Sequence, residues 1–185
     1  MNQKTEKVLR KIEKLEENNS WGSIPCSTAK FLHILVLATK SKNILELGCS
    51  LGYSAIWIAL AAKKFEGHVY TTEIDAARIK QARENFEASG LGDHITLFEK
   101  DIIEVLTKWN EGEVDFVFID AKKEDYLKYY ELALPLLKKG GLILADDVGK
   151  FKDQVRPFLD KVNNDSGVVS QFLELDDGLM LVYKK

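Results

Sequence analysis

The stretch Asn43-Ile44-Leu45-Glu46-Leu47-Gly48-Cys49-Ser50-Leu51-Gly52-Tyr53-Ser54 leaves few folds open to this chain. Ile44, Leu45 and Leu47 form a short apolar run bounded by turn residues, the pattern of a buried strand. The run breaks at Gly48 and restarts after Gly52 as a helix rich in Ala, Ile and Leu, from Ala55 to Ala62. Strand, glycine loop and helix in that order make half of a nucleotide-binding βαβ unit. Glycine permits the sharp turn and the close approach of backbone to a ligand. The helix start adds unpaired N–H groups and the positive end of a dipole, where an anionic group is welcome. A dinucleotide fingerprint G-x-G-x-x-G would need glycine where Ser50 and Tyr53 stand. The loop is therefore a poor pyrophosphate cradle, which counts against an NAD-dependent oxidoreductase.

From Asn43 onward strands and helices alternate. Strands are expected near 43–48, 67–73, 94–99, 113–120 and 141–146, and helices near 53–64, 75–89, 101–109, 123–138 and 151–163. Alternation at this spacing predicts an α/β fold with a parallel sheet covered on both faces. The end departs from the pattern. Val168–Leu175 and Leu179–Tyr183 read as strands joined by Asp176-Asp177-Gly178, and a D-G turn between β-rich runs signals a hairpin. Ahead of Asn43, residues 2–19 read as an amphipathic helix, with Val8, Ile12 and Leu15 at helical spacing and Leu9 beside them. It is expected to pack on the domain surface, with a dimer contact as the alternative. Asn18-Asn19-Ser20 breaks it, Trp21–Cys26 is a loop, and a strongly apolar helix covers about 27–39. A length of 185 residues, with no linker or repeat, fits one domain spanning 1–185.

The net charge of -3 gives no general pull toward nucleic acid. No apolar run is long enough to span a membrane and no signal peptide is evident, so a cytoplasmic location is expected. Cys26 and Cys49 make neither a disulfide framework nor a zinc site and read as free thiols.

Several acids stand at expected strand ends. Glu73 follows the glycine loop by about 20 residues, where a carboxylate can accept two hydrogen bonds from ribose hydroxyls. Asp75 reads as a helix cap, and Asp101 as the cap of the helix starting at Ile102. Val114–Ile119 runs apolar into Asp120, and a carboxylate at the carboxyl edge of a parallel sheet points into the ligand crevice. Lys122 and Lys123 come next. Lysine opposes the dipole of a helix start, a misfit that favours function over a merely solvated turn. Gly140–Ala145 leads into Asp146-Asp147. His33 reads as a packed histidine at the surface edge, and His68 and His94 as strand-edge residues.

These motifs resemble one family. Glu46-x-Gly48-x-x-x-Gly52-Tyr53-Ser54 is similar to motif I of class I S-adenosylmethionine (SAM) methyltransferases, in the form of the cation-dependent O-methyltransferases of the catechol and caffeoyl-CoA type. "FIDAxKxxY" at Phe118–Tyr126, "GGxIxxDN" at Gly140–Asp147 and "DGLxL" at Asp177–Leu181 resemble the same family, and the likeness runs from Pro25 to Lys185. It implies a Rossmann-like class I methyltransferase fold: a mostly parallel seven-stranded sheet with a C-terminal antiparallel hairpin and helices on both faces. It also implies SAM as cofactor, with Gly48, Gly52 and Ser54 at the methionine end, Glu73 at the ribose and Asp101 on the adenine side. Glu46, Cys49, Tyr53, Ile74, Ile102 and Asp120 would complete the cofactor contacts. A divalent cation (Mg²⁺, or alternatively Mn²⁺ or Ca²⁺) would be held by Asp120, Asp146 and Asp147. Lys123 would be the general base for an acceptor hydroxyl on a catechol-like or other small hydroxylated molecule.

Asp147 stands where the family has Asn. It keeps an oxygen ligand and adds charge, and so is expected to hold the cation more tightly. The segment after Asp147 is shorter than the family's acceptor-covering insertion, so an open acceptor pocket is expected. A related branch acts on a hydroxylated tRNA uridine, for which Lys150, Lys152 and Arg156 would be the phosphate contacts. A homodimer and a SAM-binding module without turnover are further alternatives.

Overall fold

The computed structural model describes residues 2–18 and 21–185. Of the break expected at Asn18-Asn19-Ser20, positions 19–20 lie outside the described residues. The elements run α1 (Gln3–Asn18), α2 (Cys26–Thr39), β1 (Asn43–Leu47), α3 (Tyr53–Ala62), β2 (His68–Thr72), α4 (Ala76–Ser89), β3 (Ile95–Phe98), α5 (Ile102–Thr107), β4 (Val114–Ile119), α6 (Tyr126–Leu136), β5 (Leu137–Ala145), α7 (Arg156–Asn163), β6 (Val168–Leu173) and β7 (Leu179–Lys184). The sheet order is β3-β2-β1-β4-β5-β7-β6. The first five strands pair in parallel, and β7 is antiparallel to both β5 and β6. This is the seven-stranded layout the sequence leads one to expect, hairpin included.

Side-chain alternation along the strands divides the core into two layers. Ile44, Phe116, Phe118 and Leu144 face a layer shared with residues of α1 to α4. Leu45, Leu47, Val117, Ile119 and Ile143 face a layer with Tyr126, Tyr130 and Phe158 of α6 and α7. Nearly every residue of α3 is buried, as befits a helix apolar all round. By contrast α1 buries one stripe, Val8, Leu9 and Ile12, as expected of a surface helix. Both predicted caps are present: Asp75 accepts from the Arg78 N–H, and Asp101 from the N–H groups of Ile103 and Glu104.

Several boundaries move, two of them with a clear local cause. The helix expected to reach 138 ends at Leu136, and β5 begins at Leu137. Pro135 closes the helix, and β5 bulges where its register against β4 shifts between Val114 and Phe116. The helix expected from 151 starts at Arg156, with Pro157 in its first turn, a position suited to proline's fixed φ. Residues 151–155 are turns instead.

The reversal of strand order lies between β1 and β4. In open sheets that is where a crevice forms beyond the carboxyl ends of the strands. Gly48 turns the chain there at φ 102, and a Cβ on it would stand 2.1 Å from the Asp120 carbonyl oxygen. Gly52 turns at φ 83 for a different reason than ligand approach: a Cβ there would stand 2.4 Å from Cε1 of Phe86, in the core. Gly52→Ala should therefore destabilise by on the order of 1–3 kcal/mol through overpacking, plus about 1–2 kcal/mol for the left-handed backbone. Gly90→Ala, where φ is 71 and nothing lies within 4 Å, should show only the backbone cost. Urea unfolding of the two variants checks this. Equal losses would show that Phe86 does not dictate the glycine.

Candidate active site

A cleft of about 610 Å³ opens at the switch point. The backbone ladder continues one residue beyond the strands and fixes the acids at its rim. Asp120 N–H donates to the Leu47 carbonyl at 3.0 Å, Asp146 N–H to Ile119 at 2.9 Å, and Glu73 N–H to Phe98 at 3.1 Å. Glu73, Asp101, Asp120 and Asp147 line the cleft with Gly48, Ile74, Ile102 and Lys123.

At one end, Glu73 is shaped by the backbone around it. Its Oε2 accepts from Ser50 N–H at 2.9 Å, and its Oε1 from Ile74 and Asp75 N–H at 2.8 and 3.1 Å. A carboxylate has about four acceptor sites, so capacity remains for a ligand hydroxyl. Asp101 caps α5 through Oδ1, which leaves Oδ2 for a ligand. Ile74 is exposed and apolar beside them.

Glu46, Cys49, Gly52, Tyr53 and Ser54 do not line this cleft. Glu46 is wholly buried on the α3 side of β1, and its Oε2 accepts from Thr71 Oγ1 at 2.5 Å while Oε1 has no partner. Burial pushes its carboxyl up to about 8, with the nearby Ser54 and Thr71 hydroxyls acting in the opposite direction. Cys49 is buried and its thiol is pushed up by that burial and by Glu46. The Tyr53 hydroxyl donates to Glu13 of α1 at 2.6 Å. The motif I loop thus spends several of its side chains on the core and on α1.

At the other end, Asp120, Asp146 and Asp147 offer ligand atoms that all lie within 4.8 Å of one another. Asp146 is 2% exposed and its Oδ1 has no hydrogen-bond partner. Burial raises it to about 8, assisted by Asp120 and Asp147. Burial also raises Asp120, though Lys123 opposes this. Asp147 sits at φ 62, a left-handed conformation that Asp and Asn tolerate best among non-glycine residues. Lys123 reaches into the group: its Nζ is 2.8 Å from Asp120 Oδ1, 2.8 Å from Asp147 Oδ2 and 2.9 Å from the Tyr126 hydroxyl. Burial alone would lower the lysine, but Asp120, Tyr126 and Asp147 outweigh it and hold it well above the usual lysine value. Lys122 instead is 67% exposed and pairs loosely with Asp125.

Sequence reasoning passed over Trp21, Ser50, Tyr129 and Phe151, which also line the cleft or its mouth. The Ser50 hydroxyl donates to the Trp21 carbonyl, drawing the loop before α2 over the glycine turn. Only the aromatic character of Trp21 and Phe151, set in otherwise polar loops, could have signalled them. The residues proposed for tRNA phosphate are largely engaged: Lys150 pairs with Asp177 at 2.8 Å and Arg156 with Asp153 at 2.7 Å. His33 packs on Trp57 and bonds its carbonyl, and His68 bonds Thr96. A larger hollow of about 810 Å³ is lined by α1 alone, so no second element contributes a converging polar group to it. No helix among the described residues is long and apolar enough to cross a membrane.

The family model for O-methyltransferases matches residues 2–185. The catechol O-methyltransferase of Niastella koreensis is 38% identical over 138 residues, covering 71% of this chain and 62% of that protein. The chain thus spans less than two thirds of that relative's length. Catechol O-methyltransferase domain-containing protein 1 of Mus musculus is 31% identical over 186 residues, 92% of this chain and 71% of the relative. The crystal structure of an O-methyltransferase from Bacillus cereus in complex with S-adenosylhomocysteine (SAH) superposes with a TM-score of 0.85 at 25% identity, covering 100% of this chain and 92% of that one.

Glu46 carries a pH signature. A carboxyl near 8 in the folded chain against 4.5 for an unperturbed glutamate means that the folded state keeps a proton the unfolded state has released. Its contribution to stability is full below about 4.5 and is lost as pH rises through about 8. Glu46→Gln stays neutral throughout. Relative to wild type it should gain on the order of a few kcal/mol between pH 5 and 8, read from thermal or urea unfolding at both pH values. A constant difference across that range would show that Glu46 ionises normally.

Proposed function

Because this chain belongs to the O-methyltransferase family, we propose that it transfers a methyl group from SAM to a hydroxyl of a small acceptor, with a divalent cation bound beside the acceptor. The observation that carries this reading is the meeting of Asp120 and Asp147 with Lys123 at the cleft wall, with Asp146 buried directly beside them. Three carboxylates this close, one of them buried with an unpartnered oxygen, suit a hard cation that takes oxygen ligands. The cleft suits SAM as well: Glu73 has acceptor capacity for ribose hydroxyls, Asp101 keeps a free oxygen on the adenine side, and Gly48 lines the path between them and Asp120. The relatives named for catechol and the structure with bound SAH support the same reading.

When bound, SAM supplies an activated methyl group, and the cation supplies Lewis acidity that lowers the pKa of a coordinated hydroxyl. The chain does the rest. Asp120, Asp146 and Asp147 would hold the cation at the end of the cleft that Lys123 Nζ also reaches, and Lys123 in its neutral form would receive the hydroxyl proton. Phe151, whose ring centroid lies 5.7 Å from Lys123 Nζ, presents an apolar wall beside the acids, suiting a flat acceptor ring, and Trp21 lines the same cleft. Orientation of the two reactants supplies much of the rate. A catechol-like acceptor fits an end of the cleft that sets the carboxylates of Asp120 and Asp147 beside the ring of Phe151.

Methyl transfer from SAM to a panel of catechols, followed by mass spectrometry with and without chelator, tests the reading. Product that depends on Mg²⁺ or Mn²⁺ is expected, and transfer unaffected by chelator would remove the cation from it. Lys123→Met should lower turnover by about 10²–10⁴-fold while SAM affinity stays near that of wild type. Lys122→Met, at an exposed position, should leave turnover unchanged. Asp146→Ala should abolish the stabilisation that Mg²⁺ confers on thermal unfolding, since binding to the folded state alone raises its stability.

A further inference from the structure

We propose that Lys123 is the built-in counter-cation of the acidic site: a divalent cation binds Asp120, Asp146 and Asp147 by displacing its ammonium. This rests on the metal site proposed above and concerns what the chain itself places there.

An ammonium has three N–H donors and no acceptor. Lys123 Nζ donates to Asp120 Oδ1 at 2.8 Å and to the Tyr126 hydroxyl at 2.9 Å, and forms an ion pair with Asp147 Oδ2 at 2.8 Å. The side chain is only 12% exposed, and its Nζ lies 5.1 and 5.7 Å from the ring centroids of Tyr126 and Phe151. Tyr126 is anchored in turn, since its hydroxyl donates to the backbone carbonyls of Ile119 and Asp146. The third carboxylate, Asp146, gets none of the ammonium's bonds, and its Oδ1 stays unpartnered. Lys123 therefore neutralises two members of the acidic group and leaves the deepest one unmatched.

A divalent cation held by the same carboxylates would face the ammonium at short range in a partly buried site, where like charges repel strongly. The cation can therefore take over Asp120 and Asp147 only if the ammonium gives way. Asp147 strengthens the arrangement. An asparagine at this position could accept a hydrogen bond from Lys123 but would not supply the second charge that holds it.

Titration of the full chain with Mg²⁺ alone, by calorimetry, tests the proposal in wild type, Lys123→Met and Tyr126→Phe. Lys123→Met should bind Mg²⁺ on the order of tenfold more tightly or better. Tyr126→Phe touches no carboxylate and loosens the lysine, and should bind about threefold more tightly. In wild type, Lys123 should resist an amine-acylating reagent in chelator and become labelled at saturating Mg²⁺, as read by peptide mass spectrometry. Equal or weaker Mg²⁺ binding in both variants, or Lys123 labelling indifferent to Mg²⁺, would overturn the competition while leaving the metal site standing. No Mg²⁺ binding by wild type or either variant would instead remove the metal site itself. Should Lys123→Met fail to fold, Tyr126→Phe and the labelling decide.

Discussion

The pairing of β1 with β2 on one side and β4 on the other is the constraint from which the rest follows. It places the reversal of strand order in the middle of the sheet, and the backbone ladder runs one residue past the strand ends into Glu73, Asp120 and Asp146. Each acid is thereby fixed by a main-chain bond rather than by a mobile loop. A site built on rigid strand ends keeps its geometry without help from a ligand. The tight turn at Gly48, forced by the nearness of the Asp120 carbonyl, brings the glycine loop against the end of β4.

Electrostatics then divide the cleft into two unlike halves. Around Glu73 the backbone provides the compensation: three N–H groups from Ser50, Ile74 and Asp75 stabilise one carboxylate. Around Asp120, Asp146 and Asp147 a side chain, Lys123, takes that part for two of the three. Carboxylates crowded in a partly buried place raise one another's pKa unless a cation offsets them. The first half suits hydroxyl groups and the second suits a metal.

The hairpin of β6 and β7 adds a brace. One oxygen of Asp176, Oδ2, accepts from the Ser27 and Thr28 hydroxyls and the Thr28 N–H at the start of α2. The next residue, Asp177, binds Lys150 and, through its carbonyl, the N–H groups of Gly149 and Lys150. The turn of the hairpin thus joins the segment after Trp21 to the segment before Phe151, the two loops that wall the cleft. Residues distant in the chain are held in register by a turn whose own conformation is set locally.

Local chemistry made much of this legible in advance. Apolar runs, glycine breaks and caps at Asp75 and Asp101 are short-range signals, so the alternating elements, the hairpin and the acids at strand ends could be read from the sequence alone. The convergence of Asp120, Asp146 and Asp147 was anticipated through a family resemblance, since spacing by itself does not say which strands are neighbours. Only the tertiary structure decided the remainder. Strand alternation turns Glu46 to the α3 side of the sheet, and packing against Phe86 and Glu13 draws Gly52 and Tyr53 away from the cleft. Trp21 and Phe151 enter it from loops with no periodic pattern to mark them. The ion pairs of Lys123 with Asp120 and Asp147 depend on side-chain reach across two strand ends. The sequence determined the elements, because propensity and turn chemistry act within a few residues; the fold determined which side chains meet, because register and packing act between residues far apart in the chain.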